Sequence, residues 1–288
     1  MTTDNTRKTT TGPGLLLRLS GPLQSWGEHS HYNDRDTARF PTRSGVIGLL
    51  AAALGRRRGE PLDDLVRLSL TVRADRPGVV LTDFHTVGGG LPPSGTVTTA
   101  EGKKRSGGTG TLVTRRDYLA DAAFTVAITG MDNNTQDAET LSRCARALHS
   151  PQWPLYLGRR SCPPEGPVLL GLTDDPLRHL ISLPLAANAP KSRSRVGVEF
   201  LSDQPLDRLP VPAELTTPDS HDASHPSGKV KDDPLTFHTR QRAYRERDLY
   251  RRTLLLPATQ YAGLGTDHLT RLADYLRDHF DCPEGGLT

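Results

Sequence analysis

The chain has 288 residues with 27 glycines, 23 prolines and a formal net charge of +3, and 35% of its residues are hydrophobic. That length allows one large domain with a sizeable core, while the many glycines and prolines predict long loops. The three cysteines are far apart in the sequence and form no CxxC pair, so their spacing predicts neither a disulfide framework nor a zinc site. The longest apolar run, Val46–Leu54, is too short to span a bilayer.

The first part of the chain predicts a strand, a loop and then a helix. Residues 1–13 are polar and lack the apolar segment of a signal peptide, so we expect a disordered N-terminus and a cytoplasmic protein without membrane contact. Gly14–Ser20 is dense in leucine and predicts the first strand. Thr42 or Ser44 is expected to cap a helix that stops at Gly55. Further strands are predicted over Leu68–Ala74, Val79–Val87, Leu112–Tyr118, Ala122–Gly130 and Pro167–Leu172, and a second helix over Thr135–His149.

These elements together predict an α+β fold. If the glycine-rich insert after Val87 is treated as a hairpin, their order is that of a ferredoxin-like (RRM-like) domain, which would occupy residues 14–202. Residues 203–234 are rich in proline, aspartate, serine and histidine and predict a linker or disordered insert. Residues 235–288 predict a basic segment followed by a C-terminal helix over Asp267–Phe280.

No motif in the sequence specifies a catalytic reaction. The chain has no GxSxG, Walker A, HExxH or nucleotide-binding GxGxxG pattern, and it predicts no cofactor or metal site. His29, His31 and His85 are candidates for the acid–base group of a metal-independent ribonuclease. No nucleophile or second base accompanies them at a fixed spacing, so a surface or hydrogen-bonding role is the favoured alternative.

The start of the first helix is a candidate anion site. Free backbone amides at Thr42–Gly45, with Arg39 and Arg43 close by in sequence, are typical of a phosphate-binding helix N-terminus. The alternative is that Thr42 is only a helix cap and that the two arginines are solvated. Both interpretations stay open from the residues alone.

Basic residues occur in short runs with aromatic or glycine-rich neighbours. Arginines for phosphates and aromatic rings for unstacked bases are typical of single-stranded RNA recognition. In a chain of net charge +3, several such runs predict a polarised surface, although each run alone is also consistent with a solvated surface. The runs are Lys103–Arg105, Arg115–Arg116, Arg159–Arg160, Lys191 with Arg193 and Arg195, and Arg240–Arg252.

Several long segments carry unusual residues in a fixed order. They are Leu17–Gly27 (LRLSGPLQSWG), Arg39–Leu50 (RFPTRSGVIGLL), Asp83–Val87 (DFHTV), Arg116–Ala127 (RDYLADAAFTVA) and Tyr156–Pro163 (YLGRRSCP). In this combination the chain resembles the CasD (Cas-five) family of type I-E CRISPR Cascade complexes. The resemblance implies a ferredoxin-like fold with a β-hairpin thumb at about residues 88–115. It also implies a subunit that holds the 5′ handle of the CRISPR RNA (crRNA), caps the repeated CasC backbone subunits, contacts the large CasA subunit and meets target DNA only indirectly.

The same resemblance suggests which residues bind RNA. Gln24, Ser25 and Trp26 would contact handle bases or pack beneath them, and a core position is the equal alternative for Trp26. Tyr156 would stack on a base. Precursor cleavage belongs to a separate subunit, CasE, in this subtype, so we expect no catalytic residue; the alternative is a Cas-five-type metal-independent endoribonuclease that processes precursor crRNA. The predicted RNA-binding residues are Gln24, Ser25, Trp26, Arg39, Thr42, Arg43, Ser44, His85, Lys103, Lys104, Arg105, Arg115, Arg116, Tyr156, Arg159 and Arg160.

Overall fold

The computed structural model describes residues 12–280 except 28–29, 32, 91, 100–101, 105–109, 133, 190–194, 213–214, 216–222 and 239–240. Most of the N-terminal segment predicted to be disordered, and His29, lie outside the described residues. None of the helices in the described part of the chain is long and apolar enough to cross a membrane.

The described residues form an α+β structure whose elements follow the sequence patterns closely. In chain order they are β1 (Gly14–Ser20), β2 (Leu23–Gln24), β3 (Ser30–His31), β4 (Asp34–Arg35), α1 (Arg43–Ala53), β5 (Leu68–Arg76), β6 (Val79–Val87), β7 (Leu112–Ala120), β8 (Ala123–Gly130), α2 (Thr135–His149), β9 (Leu169–Thr173), α3 (Pro176–Ser182), β10 (Arg195–Ser202), β11 (Gly228–Thr236), β12 (Ala243–Pro257) and α4 (Gly265–His279). The predicted strands and helices are confirmed, and β1, β6 and α2 have the predicted bounds.

Seven strands form one antiparallel sheet in the order β11-β12-β10-β5-β8-β1-β9. Strand β1 lies between β8 and β9, where Leu17 pairs with Val126 on one side and Leu169 on the other. All seven residues of β1 are buried. A leucine-rich strand of this kind therefore has both of its faces covered, as its continuous apolar run indicates.

Two hydrophobic cores cover the two faces of this sheet. Leu15, Leu17 and Leu19 of β1 share one core with α1 and α2, whereas Leu16 shares the second core with α3 and α4. This division follows from the alternation of side chains along a strand. An RRM domain binds RNA on the exposed face of its sheet. Here residues of α3 and α4 pack on that face.

A smaller sheet is built around the long hairpin β6–β7. The two strands pair in register from Val79 opposite Ala120 to Val87 opposite Leu112, and β7 also pairs with β2 and β4. The insert predicted at about 88–115 is therefore the connection of this hairpin and the first residues of β7. Strand β6 carries exposed apolar side chains, of which Phe84 is 67% exposed.

Parts of the predicted linker or disordered insert at residues 203–234 are built into the fold. Leu206 and Leu209 belong to the second core, and β11 begins at Gly228 and pairs with β12. Asp232 is buried and accepts hydrogen bonds from Arg247 of β12 at 2.6 and 3.0 Å. The composition was misleading because three aspartates of this segment, Asp203, Asp232 and Asp233, accept hydrogen bonds from arginine side chains of the protein.

Candidate nucleic-acid interface

A groove of about 1110 Å³ lies over one face of α1. Residues of α1 with small side chains line it, among them Ser44, Gly48 and Ala52. The other lining residues come from residues 56–60 after α1, from residues 153–160 after α2, and from the β11–β12 hairpin. These small residues leave room for an aromatic ring of the protein itself, because a Cβ atom at Gly48 would lie 3.8 Å from the ring of Phe237.

The groove is strongly basic. Eight of its lining residues are arginine or lysine and two, Asp36 and Glu60, are acidic. Such an excess of positive charge in a concave site focuses the potential and favours an anionic ligand. The basic lining residues are Arg35, Arg56, Arg57, Arg58, Arg159, Arg160, Lys231 and Arg242.

One of these cations is held by a carboxylate of the protein itself. Arg56 donates to both carboxylate oxygens of Asp64, and Arg143 donates to the same carboxylate. Partial burial acts to raise the pKa of Asp64, but the hydrogen bonds and charges of the two arginines outweigh it and keep that pKa below its usual value. Arg56 therefore serves the local structure first and contributes to the groove mainly through its charge.

Other cations of the groove are available to a ligand. They are exposed, and within the described part of the chain they have no ion-pair or side-chain hydrogen-bond partner. A guanidinium group in this state keeps all of its donors for a phosphate, which it binds in a bidentate manner. These residues are Arg57, Arg58, Arg160, Lys231 and Arg242.

Aromatic side chains line the same groove. Trp153 is 41% exposed, and Tyr156, Phe237 and Tyr244 are half-buried. Aromatic faces beside unpaired arginines are the combination by which proteins hold the bases and phosphates of single-stranded nucleic acid. The groove therefore has the chemistry of a nucleic-acid interface.

Two of the sequence motifs meet at one edge of the groove. The backbone N–H of Ser25 donates to the carbonyl oxygen of Leu157 at 3.0 Å. Gly158 has a φ of +93°, and a Cβ atom at this position would lie 1.8 Å from the carbonyl oxygen of Ser25. Only glycine fits both the backbone conformation and the space. The segments LQSWG and YLGRR are therefore two parts of one local structure.

Gln24 and Trp26 are both buried, so neither side chain is open to a base; their burial agrees with the alternatives of packing beneath the bases for Gln24 and a core position for Trp26. Gln24 is fully buried, and its Nε2 donates to the carbonyl oxygens of Leu19 at 3.1 Å and Ala122 at 2.8 Å. Its Oε1 accepts a hydrogen bond from the indole Nε1 of Trp26 at 2.9 Å. Trp26 is 1% exposed and packs on Gly45 of α1. Both side chains are used to join the first loop to the core.

Two of the backbone amides at the start of α1 already have partners within the chain. Thr42 is the N-cap, and its side chain accepts from the backbone N–H of Gly45. The backbone N–H of Arg43 donates to a carboxylate oxygen of Asp232 at 2.7 Å. The anion expected at this helix end is thus a carboxylate of the chain itself, supplied by β11. Arg43 is therefore removed from the predicted phosphate site, whereas Ser44 and Gly45 line the groove and a phosphate contact there stays a prediction.

The Arg43 side chain is also committed within the protein. Its guanidinium group donates to Asp203, to Asp233 at 2.9 Å, and to the carbonyl oxygens of Leu68 at 2.7 Å and Val66 at 2.6 Å. The residue is 2% exposed. It therefore cannot contact RNA without leaving buried carboxylates unpaired, and its role is to hold β11 and the start of β5 against α1.

Arg159 has a similar structural role. Its guanidinium group donates to the carbonyl oxygens of Asp117 at 2.8 Å and Arg35 at 2.9 Å, and it lies 4.6 Å from the centre of the Tyr118 ring. These contacts connect the loop after α2 to β4 and β7. The neighbouring Arg160 is exposed in the groove, so the arginine pair divides into one structural residue and one available cation.

The remaining predicted residues fall into two groups. Ser25, Ser44 and Tyr156 line the groove, whereas Arg39 is exposed outside it. The hairpin residues do not line the groove either, and Arg105 lies outside the described residues; RNA contacts by the hairpin stay a prediction. These hairpin residues are His85, Lys103, Lys104, Arg115 and Arg116.

Sequence reasoning missed several groove residues. Arg57 and Arg58 belong to an RRR run directly after α1, a local signal that the sequence does contain. Trp153 stands between two prolines after α2 and carries no motif. Lys231 lies in the segment predicted as a linker, and only the pairing of β11 with β12 brings it to the groove.

The chain matches known proteins over most of its length. The family described as CRISPR-associated protein (Cas_Cas5) matches residues 14–250. The CRISPR system Cascade subunit CasD of Escherichia coli (strain K12) is 35% identical over 213 residues, which are 68% of this chain and 90% of that protein. A chain of a solved CRISPR RNA-guided surveillance complex is 42% identical with a TM-score of 0.73, covering 92% of this chain and 99% of that one. A crystal structure of a Cas protein gives a TM-score of 0.56 at 31% identity, covering 88% of this chain and 98% of that one.

These matches, together with the fold, define a CRISPR-associated protein. More narrowly, the chain belongs to the CasD (Cas-five) family, and the resemblance based on its motifs is confirmed. Helix α4 lies beyond residues 14–250, which the family model matches.

Proposed function

We propose that the chain is a non-catalytic crRNA-binding subunit of a type I-E Cascade complex, where it holds the 5′ handle of the crRNA and caps the backbone of repeated subunits. The basic groove over α1 carries this proposal. Its available cations suit phosphates, and its aromatic rings suit unstacked bases. The similarity to the Cascade subunit CasD and to a chain of an RNA-guided surveillance complex supports a role in such an assembly.

We assign the elements β1-α1-β5-β8-α2-β9 to a ferredoxin-like core and the β6–β7 hairpin to the thumb of the family. The order β9-β1-β8-β5 within the large sheet supports the core assignment. Residues 14–202 then form the RNA-binding domain. Strands β11 and β12 extend its sheet, and α4 is an additional C-terminal element.

In this arrangement the thumb contacts a CasC-type backbone subunit, and another surface contacts the large CasA-type subunit. Exposed apolar side chains on the hairpin, Val79, Phe84 and Val113, support a protein contact there, because such groups mark interaction sites when they cluster. Target DNA is met only through the guide RNA, whose base pairing supplies the sequence specificity. The complex works in the cytoplasm.

The alternative function is a Cas-five-type metal-independent endoribonuclease. His85 is its described acid–base candidate, and its Nδ1 lies 3.3 Å from a carboxylate oxygen of Asp83. His85 lies on the hairpin and is not among the residues that line the groove. Incubation of the purified chain with repeat RNA in EDTA separates the two functions. We expect intact RNA, whereas site-specific cleavage by the isolated chain would establish the endoribonuclease.

The role of the groove is tested by removing two of its available cations, with the double variant Arg58→Ala, Arg160→Ala. Binding of a fluorescent handle RNA is measured by anisotropy over a range of salt concentrations. We expect the affinity to fall about tenfold or more, and the slope of log K against log salt to become shallower by about 1.4 because two phosphate contacts are lost.

A matched control removes two exposed arginines that do not line the groove, with the variant Arg146→Ala, Arg178→Ala. It changes the net charge by the same amount and is expected to leave the salt slope near that of the unaltered chain. If the two double variants have the same affinity and the same slope, the groove is not the RNA site.

A further inference from the structure

Trp153 is an exposed tryptophan at the wall of the basic groove. It is one of two tryptophans in the chain, and the other, Trp26, is buried in the core. A large aromatic ring usually dominates the contacts of a core or an interface. A ring that stays exposed within a concave, charged site is placed where a bound ligand would cover it.

The backbone around Trp153 is held in place by α1. The backbone N–H of Gln152 donates to the carbonyl oxygen of Ala53 at 2.9 Å. The Gln152 side chain lies over Gly55, where a Cβ atom would be 2.7 Å from its Cγ. Trp153 also precedes Pro154, which restricts its backbone to extended conformations. Because the ring is carried by a fixed segment, little conformational freedom is lost when a ligand stacks on it.

The surroundings of Trp153 indicate the chemical class of this ligand. Arg57, Arg58 and Arg160 line the same groove without ion-pair partners among the described residues, and Tyr156 adds a second aromatic ring. A strand of RNA presents phosphates and flat bases at regular intervals. Phosphates suit the arginines, and the face of a base suits the indole ring.

We propose that Trp153 stacks on the face of one unpaired base of the RNA in the groove; this inference rests on the proposed function. Stacking requires a base whose face is open, and the bases inside a duplex are already stacked on their neighbours. The groove therefore selects a single-stranded segment with at least one base turned out of its stack. The contact is indifferent to the identity of the base, because every base has a π face.

The proposal is tested by tryptophan fluorescence of the full chain during titration with the single-stranded handle RNA, while anisotropy of a labelled RNA gives the affinity independently. Stacking is expected to quench the emission of Trp153 and leave that of the buried Trp26 unchanged. Trp153→Ala is expected to weaken binding about 5- to 150-fold. Trp153→Phe keeps an aromatic face, so it is expected to retain most of the affinity and to lose the quenching.

RNAs with a single abasic nucleotide locate the stacked base. At one position the abasic RNA is expected to bind the unaltered chain and Trp153→Ala with equal affinity, because the contact is already absent. A duplex that contains the same sequence is expected to bind more weakly and to cause no quenching. Circular dichroism of each variant confirms that the fold is intact.

The outcomes separate this inference from the function on which it rests. If the RNA binds with salt-dependent affinity but Trp153→Ala binds as tightly and no quenching occurs, the stacking role is wrong and the groove function stands. If the unaltered chain binds no RNA, the proposed function fails with it. If quenching requires a protein subunit and occurs without RNA, Trp153 belongs to a protein interface and the stacking role is overturned.

Discussion

Replacement of Arg43 by alanine is the sharpest test of how the RFPTRSG segment is used. The family resemblance suggested an RNA contact for both Arg39 and Arg43, but the two residues differ in the structure. Arg39 is exposed, whereas the Arg43 guanidinium group is buried against Asp203 and Asp233. Arg43→Ala should therefore act on the free energy of unfolding, and Arg39→Ala should leave it within about 0.5 kcal/mol of the unaltered chain.

The size of the effect follows from the groups that lose their partner. Removal of one member of a buried ion pair costs about 3–5 kcal/mol. Asp203 retains hydrogen bonds from the hydroxyl of Ser69 and the backbone N–H of Leu70, which places the expected loss near the lower end, about 3 kcal/mol. The carbonyl oxygens of Leu68 and Val66 also lose a donor. Since domains are stable by about 5–15 kcal/mol, the variant should still fold but with a clearly lower midpoint.

Urea unfolding followed by circular dichroism measures this difference by linear extrapolation. Arg43→Lys is the matched variant. It keeps the charge but lacks the planar fork that reaches two carbonyl oxygens and two carboxylates, so an intermediate loss is expected. If Arg43→Ala unfolds like the unaltered chain while its affinity for handle RNA falls, Arg43 binds phosphate and the structural role is refuted.

Two further predictions concern pH and backbone space. Burial, assisted by the charge of Arg18, lowers the pKa of His268; the unfolded chain, with a histidine pKa of about 6.5, then binds the proton more readily. The contribution of His268 to stability is therefore fully present above the unfolded pKa and is lost as the pH falls below it. We expect the urea midpoint of the unaltered chain to decrease between pH 7 and 5.5, and that of His268→Gln to decrease less. Gly158→Ala should destabilise the chain by about 2 kcal/mol or more, because the new Cβ meets the carbonyl oxygen of Ser25. Gly228→Ala is the control and should be neutral, because a Cβ atom there meets nothing within 4 Å. Equal urea midpoints for the two glycine variants would contradict this reasoning.

Local patterns were enough to predict most of the individual elements. The leucines of β1 and the apolar spacing of α2 lie within the elements themselves, so the bounds of both elements could be predicted from the local sequence. Strand β11 could not be predicted in this way. Its order depends on Asp232, which is satisfied by Arg43, 189 residues earlier in the chain, and by Arg247. A buried carboxylate with distant arginine partners has the same composition as a solvated linker.

The candidate site was predicted in part, for a related reason. The motifs at 21–27 and 156–163 do meet beside the groove, but the side chains of Gln24 and Arg159 donate hydrogen bonds to backbone carbonyl oxygens. A polar side chain that suits RNA also suits a carbonyl oxygen of the protein, and the sequence does not distinguish the two partners. The arginines available to RNA lie in part in less distinctive segments, such as the run that includes Arg57.

Helix α4 packs on the second face of the large sheet, although it is synthesised long after strand β1. Leu16 of β1 and Leu272 of α4 belong to the same core. During synthesis at about 5–20 residues per second, Leu16 would wait roughly 13–50 s for its partner. Helix α3 covers part of this face earlier, but the part that α4 covers stays open until α4 is made, and open apolar surface favours association with chaperones or with other chains. Completion of this core depends on a helix that follows residues 14–250, the range that the family model matches.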